Sequence, residues 1–167
     1  IAKATKAAMG DAYPDDAVDS IVFWMVDQGR IGRKAKAGFY AYDEAGKRLG
    51  LWDGLGRKFP LALNQPDVGE VQHRLLMAQV LEAVRALEAG VLTDIREGDV
   101  GAILGWGFAP WSGGPFSWLD IIGAARAVEI CDSLAERFGK RFEAPALLRE
   151  MATKGQSFYG RFAARAA

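Results

Sequence analysis

The sequence contains one cysteine, Cys131, and one histidine, His73. A single thiol excludes an intramolecular disulfide, and so few soft ligands exclude a zinc centre built from Cys and His. A reducing compartment is expected. Charge of one sign is also missing, because 21 Lys and Arg residues balance 21 Asp and Glu residues. Without a net field, no general attraction to nucleic acid or to an anionic membrane surface is expected. No apolar run is long enough to span a bilayer and no charged-then-apolar leader opens the chain, so integral membrane association is not expected either. Apolar residues, by contrast, are plentiful. They make up 50% of the 167 residues, enough for one substantial core that removes roughly 70% of the unfolded surface from water. The chain begins at Ile1 inside helix-like sequence, and a fragment or processed product is therefore expected.

The most unusual stretch runs from Leu104 to Asp120. It holds Trp106, Trp111 and Trp118, the pair Gly113-Gly114, and Pro110 and Pro115. Large rings, close-approach glycines and turn-fixing prolines suit a tightly packed helix junction.

Around it the periodicity is helical. Residues 1–13 form an alanine-rich helix that ends before Pro14. Asp15 and Asp16 offer an N-cap for a second helix, in which Ile21, Val22, Met25 and Val26 share a face with Val18 and Gly29 supplies the stop. A basic loop, Arg30 to Gly38, leads into alternating Phe39-Tyr40-Ala41-Tyr42, a short strand or an extended arm. Glu44 to Lys47 reads as a turn, and Leu49, Leu51, Trp52, Leu55 and Phe59 read as apolar anchors. Residues 60–67 are the best candidate for a linker. From Asp67 a long helix is predicted, with Val68, Val71, Leu75, Leu76, Val80, Val84 and Leu87 lining its buried side as far as Gly90. Thr93 or Asp94 caps the next helix, which turns Ile95, Val100, Ile103 and Leu104 inward. Pro115 opens a helix through Ile122. Further helices cover 124–138 and 145–151. The segments 1–40 and 121–159 share an order of features, each closing on Phe39-Tyr40 or Phe158-Tyr159, as in a degenerate duplication.

Candidate chemistry is sparse. Gly105-Trp106-Gly107-Phe108-Ala109-Pro110 begins like a dinucleotide fingerprint, but Pro110 holds its sixth position and Trp106 stands where backbone must approach a pyrophosphate. His73 could serve as a general base oriented by Glu70 three residues earlier; a helix-packing histidine is the plainer alternative. Cys131, in an apolar helical run, reads as a small buried hydrophobe. Arg30, Arg33, Lys34 and Lys36 could pair with the phosphates of a nucleotide or a CoA tail, or simply complement the preceding helix dipole. Close helix packing is the expected role of Gly113-Gly114-Pro115, and Gly114→Val is expected to overpack the junction at a cost of roughly 1–3 kcal/mol.

Taken in order, Gly32-Arg33-Lys34 through Gly38-Phe39-Tyr40-Ala41-Tyr42, Val71-Gln72-His73-Arg74-Leu75-Leu76, Gly105-Trp106-Gly107-Phe108, Gly113-Gly114-Pro115-Phe116 and Leu119-Asp120 resemble the C-terminal domains of 3-hydroxyacyl-CoA dehydrogenases. The likeness is closest to the multifunctional fatty-acid β-oxidation enzymes, where that domain occurs twice in tandem. The resemblance implies an all-α fold like the 6-phosphogluconate dehydrogenase C-terminal domain. It further implies a partial first copy over residues 1–60 and a complete second copy over 61–167.

In that family a Rossmann domain upstream binds NAD and carries the catalytic histidine and glutamate, and a hydratase and isomerase domain precedes it. The resemblance therefore implies no catalytic residue and no cofactor site in this chain. Its implied partners are its own upstream Rossmann and hydratase domains, an acyl-CoA substrate and a thiolase subunit. Arg33, Lys34, Lys36 and His73 are the candidate substrate-binding residues. The family's first copy carries an Asn-Arg pair whose asparagine positions substrate. Here the matching pair is His73-Arg74, which argues against an independent second active site. The expected role is completion of the dimer-like core and acyl-CoA pocket of a parent enzyme that oxidises 3-hydroxyacyl-CoA with NAD, in bacterial cytoplasm. The alternatives are a stand-alone helical module that binds a partner or an acyl ligand at the tryptophan-rich junction, and a small enzyme using His73.

Overall fold

A computed structural model describes residues 2–13 and 17–162. The proposed caps Asp15 and Asp16, and residues 163–167 of the tail, lie outside the described residues. The chain divides into two compact units between Gln65 and Pro66.

The first unit opens with α1 (Ala2–Met9), which tightens into a 3-10 turn over Gly10–Ala12. Helix α2 (Ala17–Asp27) follows, and a second 3-10 turn spans Arg33–Ala35. Strands β1 (Tyr40–Tyr42) and β2 (Arg48–Leu51) then pair antiparallel, and α3 (Asp53–Lys58) closes the unit. Its packing is aromatic: Trp24 stacks on Trp52 with ring centroids 5.6 Å apart and meets the edge of Phe59 at 5.5 Å. Arg30 lies 4.2 Å over the Trp52 ring and donates to the carbonyls of Gly38 and Tyr40. Its charge is spent on holding the loop, so it is not a free phosphate ligand. Of the expected α2 face, Met25 is buried whereas Val22 and Val26 are exposed. Leu49 and Leu51, expected as anchors, are exposed in β2, a strand of a two-stranded hairpin.

The second unit is helical among its described residues: α4 (Val68–Glu88), α5 (Ile95–Trp106), α6 (Pro115–Ile122), α7 (Ala124–Phe138), α8 (Ala146–Lys154) and α9 (Phe158–Phe162). Helix α4 packs against α6, α7 and α8, while α5 and α9 both pack on α6. Asp67 caps α4 by accepting from the Glu70 amide, and Asp94 caps α5 by accepting from the Arg96 amide. These caps satisfy amides that the first turn of a helix leaves without partners.

The expected face of α4 is buried in part: Val80 and Val84 are buried and Leu76 and Leu87 pack against the core, whereas Val68 and Leu75 are exposed at 70% and 63% and Met77 and Leu81 are buried instead. Both sets have helical spacing, and packing by α6, α7 and α8 decides which side of the shared arc is covered. In α5 the same correction applies: Ile95, Asp99 and Ala102 are buried, while Val100 and Leu104 point to solvent.

The Arg96 guanidinium, bonded to the Asp94 carboxylate, together with the Arg96 amide, pulls that acid from 3.8 to about 2. A depressed carboxylate stabilises the fold above its unfolded value and loses that contribution as pH falls through its folded one. Thermal melts should therefore show an acid-dependent loss between about pH 4 and pH 2, which Asp94→Asn reduces. An identical acid limb in the variant would reject the assignment.

Candidate functional site

The tryptophan and glycine junction is built around a carboxylate. Helix α5 ends on Trp106, and Gly107 takes the left-handed conformation at φ 76 that closes it. Gly105 to Gly107 thus ends a helix, whereas a dinucleotide fingerprint would open one. The next helix, α6, begins with Pro115 behind an N-cap residue, Gly114, that has no side chain to cap with. Asp99 of α5 does so from 2% exposure. Its Oδ1 accepts from the Phe116 amide at 2.7 Å, and its Oδ2 accepts from the Ser117 amide at 3.0 Å and the Ser117 hydroxyl at 2.6 Å. The Tyr159 hydroxyl donates to the same Oδ2 at 2.9 Å. A buried anion is tolerated here because two helix-start amides and two hydroxyls surround it.

Two more helices are capped in this way. Asp120 accepts from the amides of Phe158 at 2.6 Å and Tyr159 at 2.9 Å, which opens α9, and Glu88 accepts from the Leu147 amide at 2.7 Å, which opens α8. Burial pushes the Tyr159 phenol up, and its bond to Asp99 acts in the same direction. Phe108, Phe116 and Trp118 fill the junction, while Trp106 and Trp111 are exposed at 61% and 74%. The junction interior is therefore packed protein, not a pocket of tryptophans.

His73 lies elsewhere, in a cleft of about 320 Å³ between α4 and α7. Glu70, expected to orient it, is ion-paired with Arg137, and Arg126 is paired with Glu129 at 2.8 Å. Arg74 turns away and sits 3.9 Å over the Phe138 ring. The cleft thus offers one imidazole beside two ion pairs and the capping carboxylate of Asp67. Among the described residues no group of three His, Cys, Asp or Glu side chains could hold a metal ion.

Arg33, Lys34 and Lys36 belong to the first unit and His73 to the second. The three basic residues are not brought to one point. Lys36, at φ 49, folds its ammonium onto the Glu44 carbonyl at 2.5 Å. Arg33 instead joins Lys47 and Arg48, with Tyr42 and Gly46, in lining a concavity of about 480 Å³. Lys47 and Arg48 are absent from the sequence-derived set because they lie beyond the loop, in the hairpin turn and at the first position of β2. Asp99 is absent from it as well. A hint was available in an aspartate placed mid-helix four residues after Ile95 and three before Ala102, where aspartate is a poor helix former.

Cys131 is buried in α7, and burial pushes its thiol up to about 11. Alkylation at pH 8 should run at least about a hundredfold slower in the folded chain than for an ordinary thiol of pKa about 8.5. Equal rates with and without denaturant would contradict that burial.

A family model described as "3-hydroxyacyl-CoA dehydrogenase, C-terminal domain" matches residues 69–161, within the second unit. The chain is also 38% identical over 141 residues to the fatty acid oxidation complex subunit alpha of Shewanella amazonensis, an alignment that takes in 78% of this chain. The chain spans 19% of that relative's length.

Proposed function

Because this chain belongs to the family of 3-hydroxyacyl-CoA dehydrogenase C-terminal domains, we propose that it completes the helical core and acyl-CoA pocket of a longer dehydrogenase and has no reaction of its own. The parent enzyme oxidises a 3-hydroxyacyl-CoA to a 3-ketoacyl-CoA with NAD. The observation that carries this reading is the family match over a closed helical unit within a relative about five times longer. The pairing of Glu70 with Arg137 supports it, because it engages the carboxylate expected to orient His73. The glycines of Gly105 to Gly107 do not fit NAD, since they close helix α5 instead of leading from a strand into a helix. The nucleotide belongs to a Rossmann domain upstream, in a bacterial cytoplasmic protein that also carries a hydratase domain and assembles with a thiolase subunit.

We further infer that the first unit is the C-terminal part of a first copy of the same domain. Helix α2 and helix α8 support this by ending alike. The Arg30 amide donates to the Met25 carbonyl at 2.9 Å, and the Gln156 amide donates to the Met151 carbonyl at 2.9 Å. Both methionines are buried. A glycine precedes each closing amide, Gly29 at φ 68 and Gly155 at φ 60.

The test is complementation. The 167-residue chain is mixed with the separately expressed upstream part of a relative, and reduction of NAD is followed with a 3-hydroxyacyl-CoA. Activity in the mixture, with neither part active alone, is the expected result. Dehydrogenase turnover by this chain alone would overturn the proposal.

A further inference from the structure

The hairpin concavity holds three cations and no anion. Arg33 arrives from the 3-10 turn, and Lys47 and Arg48 arrive from the turn and first position of β2. Backbone bridges from Gly32 to Ala37 and from Ala37 to Ala41 bind the loop to β1 and bring Arg33 to the hairpin. No carboxylate lines the concavity, and among the described residues none of the three cations forms an ion pair. Asp43, next to Tyr42, does not line it, and its Oδ1 accepts the Lys47 amide at 2.8 Å within the turn. Arg48 is fixed 4.6 Å over the Tyr40 ring, which leaves the edge of its guanidinium for a bidentate anion. Like charges gathered around one hollow repel each other until an anion enters it. An apolar groove of about 350 Å³, lined by Met25, Phe39 and Tyr40, adjoins the hollow and shares Tyr42 with it. The ligand that fits is a phosphate group continued by a less polar body.

We propose that Arg33, Lys47 and Arg48 bind the phosphates of the nucleotide tail of an acyl-CoA. This rests on the acyl-CoA reading above and differs from the loop set suggested by sequence, since Lys34 and Lys36 are not among its ligands.

The 167-residue chain is titrated by calorimetry with CoA, pantetheine and inorganic pyrophosphate, at low salt and at about 0.3 M salt. CoA is expected to bind, pantetheine not, and CoA binding is expected to weaken with salt. Lys47→Ala and Arg33→Ala, with melting temperatures checked, should each weaken CoA binding about tenfold, and Lys140→Ala in the second unit should leave it unchanged. Pantetheine binding as tightly as CoA, or both hairpin variants binding CoA like the parent, would overturn the proposal. So would pyrophosphate matching CoA, because the site would then read a free polyphosphate. The readout is binding, so it stands apart from complementation. A complemented enzyme whose CoA affinity ignores the hairpin defeats this site alone, while failed complementation with hairpin-dependent CoA binding defeats the completion role alone.

Discussion

Gly114→Ala is expected to destabilise the second unit by about 2–6 kcal/mol, more than the sequence alone suggested for valine at that position. Two effects act together. Gly114 stands at φ 114 and ψ 178, a conformation open in practice to glycine alone. A Cβ there would also fall 2.5 Å from the Cβ, Cγ and Oδ1 of Asp99. The N-cap residue of α6 must be glycine because the carboxylate that caps α6 occupies the space its side chain would need. Since domains are stable by only about 5–15 kcal/mol, this loss should appear as a large drop in the denaturant midpoint or as an unfolded second unit. The two effects separate in a double-mutant cycle. Asp99→Gly removes all three atoms of the clash and leaves the backbone strain at position 114, so Gly114→Ala should cost less in that background. An additive cycle would show that steric conflict with Asp99 plays no part.

Asp99→Ala alone is expected to cost about 3 kcal/mol or more, because hydrogen bonds to a charged acceptor contribute more than neutral ones and buried donors left without partners are penalised. The Phe116 and Ser117 amides lose their acceptor, and so do the hydroxyls of Ser117 and Tyr159. A graded series checks this. Tyr159→Phe removes one donor and leaves three, and should cost only about 1 kcal/mol. Asp99→Asn keeps the shape and one acceptor oxygen and should fall between. Chemical denaturation of the three variants gives the order. If Asp99→Ala proved no worse than Tyr159→Phe, the carboxylate would not be what holds α5, α6 and α9 together.

These two positions show where the chain could be read as sequence and where it could not. Helices α4 and α5 were legible at their starts because Asp67 and Asp94 cap amides two or three residues on. Helix α6 was legible through Pro115, which fixes its own backbone. The basic loop was legible as a concentration of charge, yet its members part company in space. Arg30 grips two carbonyls, Lys36 grips a third, and only Arg33 turns to the hairpin cations. His73 was visible as the one imidazole, but its expected partner Glu70 was taken by Arg137, 67 residues away.

The sequence by itself determined the helical class, the local caps, the glycine and proline breaks and the family to which the order of motifs belongs. Each of these depends on groups a few residues apart, whose geometry one turn of helix sets. The tertiary structure alone decided that Met77 and Leu81 of α4 are buried beside Val80 and Val84 while Val68 and Leu75 are not, since the helical period serves both sets and only α6, α7 and α8 choose. It alone decided that Asp99, Glu88 and Asp120 cap helices through amides 17, 59 and 38 residues later. An acceptor so distant leaves no spacing to read, because its position is fixed by the packing of whole helices against one another.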